Sequence, residues 1–459
     1  MTQSSAGAGA TASFGAWASS LRFEDIPPEV IEHAKLCLLD CLGCALYGST
    51  QEWGRIAAQV SCEMSAGKST LWGHSATTGV SDAALVNGTA AHGFEIDDAH
   101  VASFIHPGAV TIPAVLAIGE LEQTSGKGLL TAIVAGYEIG LRVGMAAGSA
   151  HCIRGYHPTG TAGCPGAAAA AANLLGLASE QTTNAIAIAA TQAAGLYSAV
   201  RTGAMTKRLH AGRAAQSGVA AALLARRGFS GSEDALEAEY GGFMSTMSES
   251  QDLAPHVASL GKVWETAQTG FKAYAACASA HTIVDAIDAM MKRGLDHRNL
   301  DSLNIGMSEM GINNVGWEYR PTTVTGAQMN GYYTAAVKLL DGEAFIDQYT
   351  QGRIADPSVM SLIRKIRLTR DQELDKGGAP MRHAVKAHAR LIDGRSLEQY
   401  VEQRRGSPHH PLSRQELEAK FRRTAASALG SPAVERLMEV ALGIDKCGDA
   451  RTLCALLKP

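Results

Sequence analysis

The chain has 459 residues, enough for two to four domains at roughly 100–200 residues each, which excludes a single small binding module. Hydrophobic residues make up 46% and charged residues 18%, a globular balance, while 5% aromatic content points to cores packed from small aliphatic side chains. Forty basic against 44 acidic residues leave a net charge of −4, so no overall positive field exists to attract nucleic acid or an anionic membrane.

Residues 1–12 are mostly Ser, Ala and Gly without a basic residue. They read as a frayed tail rather than a secretion signal or transit peptide, and a cytoplasmic location is expected. From residue 28 the apolar spacing predicts helices over 28–47, 52–65, 81–93, 107–122, 128–147, 160–175, 180–199, 211–227 and 233–239. Gly48, Gly126, Gly176 and Gly228 stand at the breaks, where helix ends favour a residue tolerant of positive φ. The most apolar long stretch, 161–177, is interrupted by Pro165 and Asn173, so no membrane span is expected there.

Nine cysteines, an odd count in a chain too long to need disulfide staples, fit a reducing compartment. Cys37, Cys41 and Cys44 have a spacing that suits an iron–sulfur cluster in a loop. Here they share a helix face with Val30, Ala34 and Leu38, so they are assigned to the core.

After residue 270 the pattern changes. Strands are predicted over 303–310 and 366–369, and a hairpin over 385–391 and 396–401 around Asp393-Gly394, the chemistry of a two-residue type I′ turn. Helices are predicted over 281–293, 325–341 and 357–365. Ser413 and Glu416 form a capping-box start for a helix over 414–428, followed by one over 432–442. The expected fold class is mainly α: a large all-helical domain of residues 1–268 and 405–459, with a smaller α+β lid domain of residues 269–404.

Two nucleotide-like strings fail on inspection. Gly67-Lys68-Ser69-Thr70 lacks the glycine a phosphate loop needs, since that position is Cys62. Gly160, Gly163 and Gly166 follow His157-Pro158 rather than a strand, without the tight turn of a dinucleotide site.

The densest polar cluster in the helical region is His92-Gly93-Phe94-Glu95-Ile96-Asp97-Asp98-Ala99-His100, followed by His106-Pro107-Gly108. Asp97, Asp98, His100 and His106 are the ligands a metal would use, and the same groups can form an acid/base set. No His-x3-His pair supports zinc, and no metal is assigned. His157, just before Pro158, is expected to precede a helix whose free N–H groups favour an anion, or simply to cap it. Lys207-Arg208-Leu209-His210 adds two cations and a histidine before another predicted helix, suited to a carboxylate or to a basic surface patch. Lys272 to His281 leads into a further helix, and Tyr319 with Arg320 offers a phenol and a guanidinium from a loop.

On these residues the chain resembles the MmgE/PrpD family. The resemblance runs from Leu39-Asp40-Cys41-Leu42-Gly43 through Val86 to His92, Asp97-Asp98, His106-Pro107, His157-Pro158, Met205-Thr206-Lys207 and Tyr274 to His281, to Leu339-Leu340-Asp341-Gly342. It implies a helical domain with a smaller lid, a site between them, a homodimer, and chemistry on a small polycarboxylate without metal or organic cofactor. The family includes 2-methylcitrate dehydratases, cis-aconitate decarboxylases and an iminodisuccinate epimerase. Glu95 to His100 with His106, and Trp317 before Tyr319-Arg320-Pro321, are similar to the fungal decarboxylase pattern. The implied catalytic set is His106, His157, Lys207, His281 and Asp97. The implied substrate-binding set is Glu95, Lys207, His210, Lys272, Tyr319 and Arg320, with one of His106, His157 or His281 delivering a proton. Two readings of other classes stand beside this: a metal-dependent lyase using Asp97, Asp98, His100 and His106, and a non-catalytic helical scaffold.

Overall fold

Apolar side chains at three- and four-residue spacing, bounded by residues that start or stop helices, dictate most of the architecture. The computed structural model describes residues 9–249, 252–378 and 381–459. Its helical body is built from α1 (Ala10–Ser20), α2 (Pro28–Ser49), α3 (Glu52–Met64), α4 (Val80–Ala91), α5 (Gly108–Glu122), α6 (Gly126–Ile153), α7 (Gly163–Leu174), α8 (Ser179–Ala190), α9 (Ser198–Thr202) and α10 (Thr206–Arg226). Pro28 starts α2 at its first position, where no N–H is missed. Ser125 caps α6 by accepting the Gly128 N–H at 3.2 Å. The most apolar window of α6 is long enough to cross a bilayer, but 94% of it is buried inside the fold, the environment of a core helix.

Two large apolar cores result, beside a small cluster of Ala58, Leu71, Ala83 and Val86. One gathers α1, α2, α5, α6, α7, α8 and α10. Leu417, Phe421, Val434 and Leu437, from the C-terminal helices Arg414–Ala425 and Ser431–Leu442, pack into the same core. The capping box at Ser413 forms as expected, with reciprocal bonds to Glu416 of 2.7 and 3.3 Å. The other core lies in the α+β region. Its sheet runs β6-β5-β7-β8, from β5 (Leu300–Met307), β6 (Ile366–Arg370), β7 (Val385–Leu391) and β8 (Ser396–Val401). Strands β5 and β6 are parallel and the other pairs antiparallel. Alternation puts Val385, Ala387, Ala389 and Leu391 on the buried face, against the helix Ala278–Met291. Two short two-residue pairings belong to the body: β1 (Ser69–Thr70) with β2 (Thr77–Thr78), and β3 (Ala99–His100) with β4 (Thr269–Gly270).

Several local expectations are corrected. The expected tail already forms helix from Ala10, because the Glu237 carboxylate caps it at Thr11 N–H (3.1 Å); residues 1–8 lie outside the described residues. With Glu237 so used, 233–239 is a run of turns rather than a helix. The helix over 180–199 stops at Ala190, and Gly195 at φ +148° separates it from α9. Helix α10 starts at Thr206, so Lys207, Arg208 and His210 lie within it. The helix over 325–341 divides into Val324–Gln328 and Gly331–Asp341, because Asn330 caps the second piece at Tyr333 N–H (3.1 Å). The hairpin loop has three residues, with Leu391 N–H bonded to Arg395 O at 2.8 Å and Gly394 at φ +88°. A two-residue type I′ turn would need Asp393 left-handed as well.

Gly176 and Gly228 take positive φ, but Gly48 and Gly126 serve close packing: an added Cβ would lie 1.9 Å from Ala90 O and 1.6 Å from Ile444 O. The same device joins α4 to α10. A Cβ on Gly88 would meet Gly212 Cα at 2.8 Å, and one on Gly212 would meet Leu85 O at 2.1 Å. This contact brings the end of α4 beside the start of α10. Gly212→Val is expected to destabilise the fold by about 1–3 kcal/mol through overpacking, read as a lower melting temperature in thermal denaturation; an unchanged melting temperature would contradict the role given to this contact.

Candidate active site

The loop 92–107 leaves the end of α4, crosses under the α+β region and starts α5. At its turn Glu95 is left-handed, φ +56°, a conformation a non-glycine residue adopts only when its surroundings hold it. Three cations do so. Lys207 and Arg208, on the first turn of α10, both bond Oε1, and Lys272 bonds Oε2 at 3.0 Å. All four side chains are buried. Burial alone would raise the Glu95 pKa, but Lys207, Lys272 and Arg208 outweigh it and hold the carboxylate well below its usual range.

Two residues on, Asp97 organises histidines. Its Oδ2 accepts the His92 Nδ1–H at 2.6 Å and lies 3.3 Å from His106 Nδ1. Its Oδ1 is 3.8 Å from Lys272 Nζ and has no hydrogen-bond partner. His106 Nδ1–H also donates to Asp98 O at 2.8 Å, which leaves Nε2 as its nitrogen for proton exchange. Lys207 Nζ sits 3.4 Å from His92 Nε2. The His157 ring is 5.5 Å from that of His92, and its Nδ1 meets His210 Nδ1 at 3.0 Å. His281 is buried, donates Nε2–H to Ala276 O at 3.2 Å, and has an unpartnered Nδ1.

The surroundings fix this loop from several sides. Asp98 caps α5 by accepting the Gly108 N–H at 3.0 Å, and it also accepts the Tyr137 O–H at 2.7 Å. Burial pushes its pKa up to about 8. Lys420, from the helix Arg414–Ala425, bonds Asp40 at 2.6 Å and the Ile96 carbonyl, so it holds the backbone between Glu95 and Asp97. From the α+β region, Gln328 donates to Phe94 O at 2.7 Å and accepts from Arg208 at 3.2 Å. The β3–β4 pairing sets Ala99 opposite Gly270, just ahead of Lys272.

Of the residues singled out from sequence, Glu95, Asp97, His106, His157, Lys207, His210 and Lys272 share this network. His281 is next to it, since the Lys272 charge is felt at its ring. Tyr319 and Arg320 are not joined to it: the Tyr319 O–H donates to Ile354 O at 2.7 Å, and the exposed Arg320 pairs with Glu318. Both line a separate cleft of about 760 Å³ with Trp317 and Thr202. His92 and Arg208 also belong to the network, beyond the site residues expected from sequence. Both stand in the polar strings already noted, and that was their only signal. Of the four possible metal ligands, His100 turns away to Ser103 at 2.9 Å and Glu265 at 3.3 Å, and Asp98 is used at α5. His92, Asp97 and His106 do have ligand atoms within 4.8 Å of one another, but His92 and His106 already direct ring N–H groups at Asp97, and Lys207 and Lys272 bring positive charge to the same atoms. The arrangement suits proton transfer better than a cation.

Burial draws Lys207 below its ordinary value, and it lowers His106 and, more strongly, His157. His92 falls to about 3, burial outweighing Asp97, and His210 falls to about 4 through burial and the Lys207 charge. A histidine lowered in the folded state contributes stability that is complete above its ordinary value of 6.5 and is lost as pH falls toward the folded value. Asp40, Asp98 and Asp285, all raised by burial, act in the opposite sense, but the lowered histidines, among them His92, His106, His157, His210 and His281, outnumber them. The melting temperature is therefore expected to fall as pH drops from 7.5 to 5.0; a rise over that interval would contradict neutral buried histidines.

Sequence models of the MmgE/PrpD N-terminal domain and the MmgE/PrpD C-terminal domain match residues 12–256 and 274–446. A cis-aconitate decarboxylase-like protein of Aspergillus oryzae is 32% identical, covering 100% of this chain and 99% of its own length. The cis-aconitate decarboxylases of Aspergillus terreus and Homo sapiens are each 31% identical, over 99% and 98% of this chain and 97% and 94% of their own lengths. The matched regions contain every member of the buried network from Glu95 to Lys272 except Lys272 itself, which lies two residues before the second; the chain belongs to the MmgE/PrpD family.

Proposed function

We propose that this chain is a lyase that decarboxylates cis-aconitate to itaconate without a metal or organic cofactor. The observation that carries the reading is the excess of fixed positive charge in a buried site lined with neutral histidines. Among the described residues, Glu95 and Asp97 are the only acids paired with Lys207, Arg208 and Lys272. The names of the Aspergillus and human relatives support the same reading.

In this reading the substrate enters as a trianion, and Lys207, Lys272 and histidine N–H groups hold its carboxylates. The bond between carbon and the departing carboxylate breaks, and its electron pair moves into an allylic carbanion conjugated with a remaining carboxylate. The fixed cations stabilise the charge that builds there. One of His106, His157 or His281 then gives a proton to carbon as the double bond shifts. The trianion and one proton thus become the itaconate dianion and CO2. The histidines are neutral in the free site, and the arriving negative charge raises their affinity for that proton. Tyr319 and Arg320 are assigned to the cleft they line, as an approach for the anion.

Proton NMR of chelator-treated protein in D2O tests the proposal, offering cis-aconitate, 2-methylcitrate and iminodisuccinate separately. Itaconate carrying one new deuteron, formed from the first alone, is the expected result. Turnover of 2-methylcitrate alone would replace decarboxylation with dehydration at the same residues, and activity lost on chelation would remove the metal-free mechanism.

A further inference from the structure

Two buried guanidiniums play no part in the network so far described. Arg404 follows β8 and is 1% exposed. Its Nη1 donates to Phe271 O at 3.2 Å, and its Nε and Nη2 have no partner. Arg382 precedes β7 and is 6% exposed. Its Nε donates to His383 Nε2 at 3.1 Å and its Nη2 to Val101 O, while Nη1 has no partner. Among the described residues neither guanidinium has a carboxylate in ion-pair reach. Asp285, the acid whose charge Arg404 feels, already accepts the Tyr274 O–H at 2.6 Å and the Arg405 N–H at 2.8 Å.

A buried arginine without a counter-ion costs several kcal/mol, and elsewhere this fold avoids that cost: Arg142 pairs with Glu138 and Arg208 with Glu95. Arg382 and Arg404 are also close enough for their charges to repel each other. The place they occupy adjoins the candidate active site. Arg382 lies over the Phe104 ring at 3.9 Å, on the loop that carries Asp97 and His106. His281, with its unpartnered Nδ1, feels the charges of both Arg404 and Lys272. Three cations against two carboxylates leave one formal positive charge in the network; these arginines add two, which matches three carboxylates.

We propose that Arg382 and Arg404, together with His281 Nδ1, form a second carboxylate-binding end of the candidate active site that selects tricarboxylates over dicarboxylates. The inference rests on the polycarboxylate reading of the site, and it adds residues that decide specificity.

Thermal melts of the whole chain with tricarballylate and with glutarate, backed by cis-aconitate kinetics, test it. The expected result is that R404Q and R382Q weaken tricarballylate binding by at least about tenfold and change glutarate binding by less than about threefold. For cis-aconitate, KM rises while kcat stays within about threefold, and R404K restores part of the loss. Without ligand, R404Q melts at or above the wild-type temperature, because an unpaired buried charge has been removed. Equal loss for both ligands with a lower unliganded melting temperature would assign the arginines a structural role and overturn the proposal. So would unchanged tricarballylate binding in both variants, or no protection of the wild type by tricarballylate. A wild-type chain that shows the expected ligand pattern but does not decarboxylate cis-aconitate would keep the subsite and remove only the reaction.

Discussion

The Glu95 carboxylate is the interaction on which the site depends. It is buried, sits on left-handed backbone and accepts Lys207, Arg208 and Lys272 from two separate segments of the chain. In a low-dielectric interior three cations at one point repel strongly, and one acid that touches all three keeps them together. Because two carboxylates balance only part of that charge, the site keeps an attraction for an anion after it has folded. A pocket neutralised by its own acids would hold its shape and lose its ligand.

Much of the surrounding structure serves that arrangement. The Gly88–Gly212 contact lets α4 and α10 approach until His92 meets Lys207. Lys420 reaches from the C-terminal helices to the Ile96 carbonyl. Gln328 crosses from the α+β region to bond Phe94 and Arg208. The site therefore lies on the seam between the two main apolar cores, where the first turn of α10, the loop 92–107 and the segment carrying Lys272 bring their charges together. Among the described residues, the unpartnered buried polar atoms include those of Asp97, His281, Arg382 and Arg404 at this seam, and others lie away from it at His74, Thr124, Ser217 and Asp445.

The readable part of this in sequence was what local physics determines. The face of α2 that carries Cys37, Cys41 and Cys44, the alternation along β7 and the Ser413–Glu416 cap each follow from short-range spacing, and each forms. Charged strings inside an Ala-rich background marked Glu95, Asp97, His106, His157, Lys207 and Lys272, and family resemblance joined them. What could not be read depends on tertiary contact. The turn at Glu95 needs three distant cations before a left-handed glutamate is stable, so the pairing of His92 with Asp97 was hidden. Arg208 joins Glu95 only because α10 begins at Thr206, ahead of its apolar pattern. Tyr319 looked like a site phenol, but its O–H is taken by the Ile354 carbonyl. Arg382 and Arg404 stand in loops with no periodicity, and only their burial sets them apart.

The most direct measurement of the central claim is Glu95→Gln, followed by both thermal melting and cis-aconitate turnover. The account predicts a clearly lower melting temperature, because three buried cations lose their shared counter-ion, together with loss of at least about a hundredfold in kcat/KM as Lys207 and Lys272 move from their positions. Melting and turnover both close to wild type would contradict it, and would mean that the cations are held in place by something other than this carboxylate.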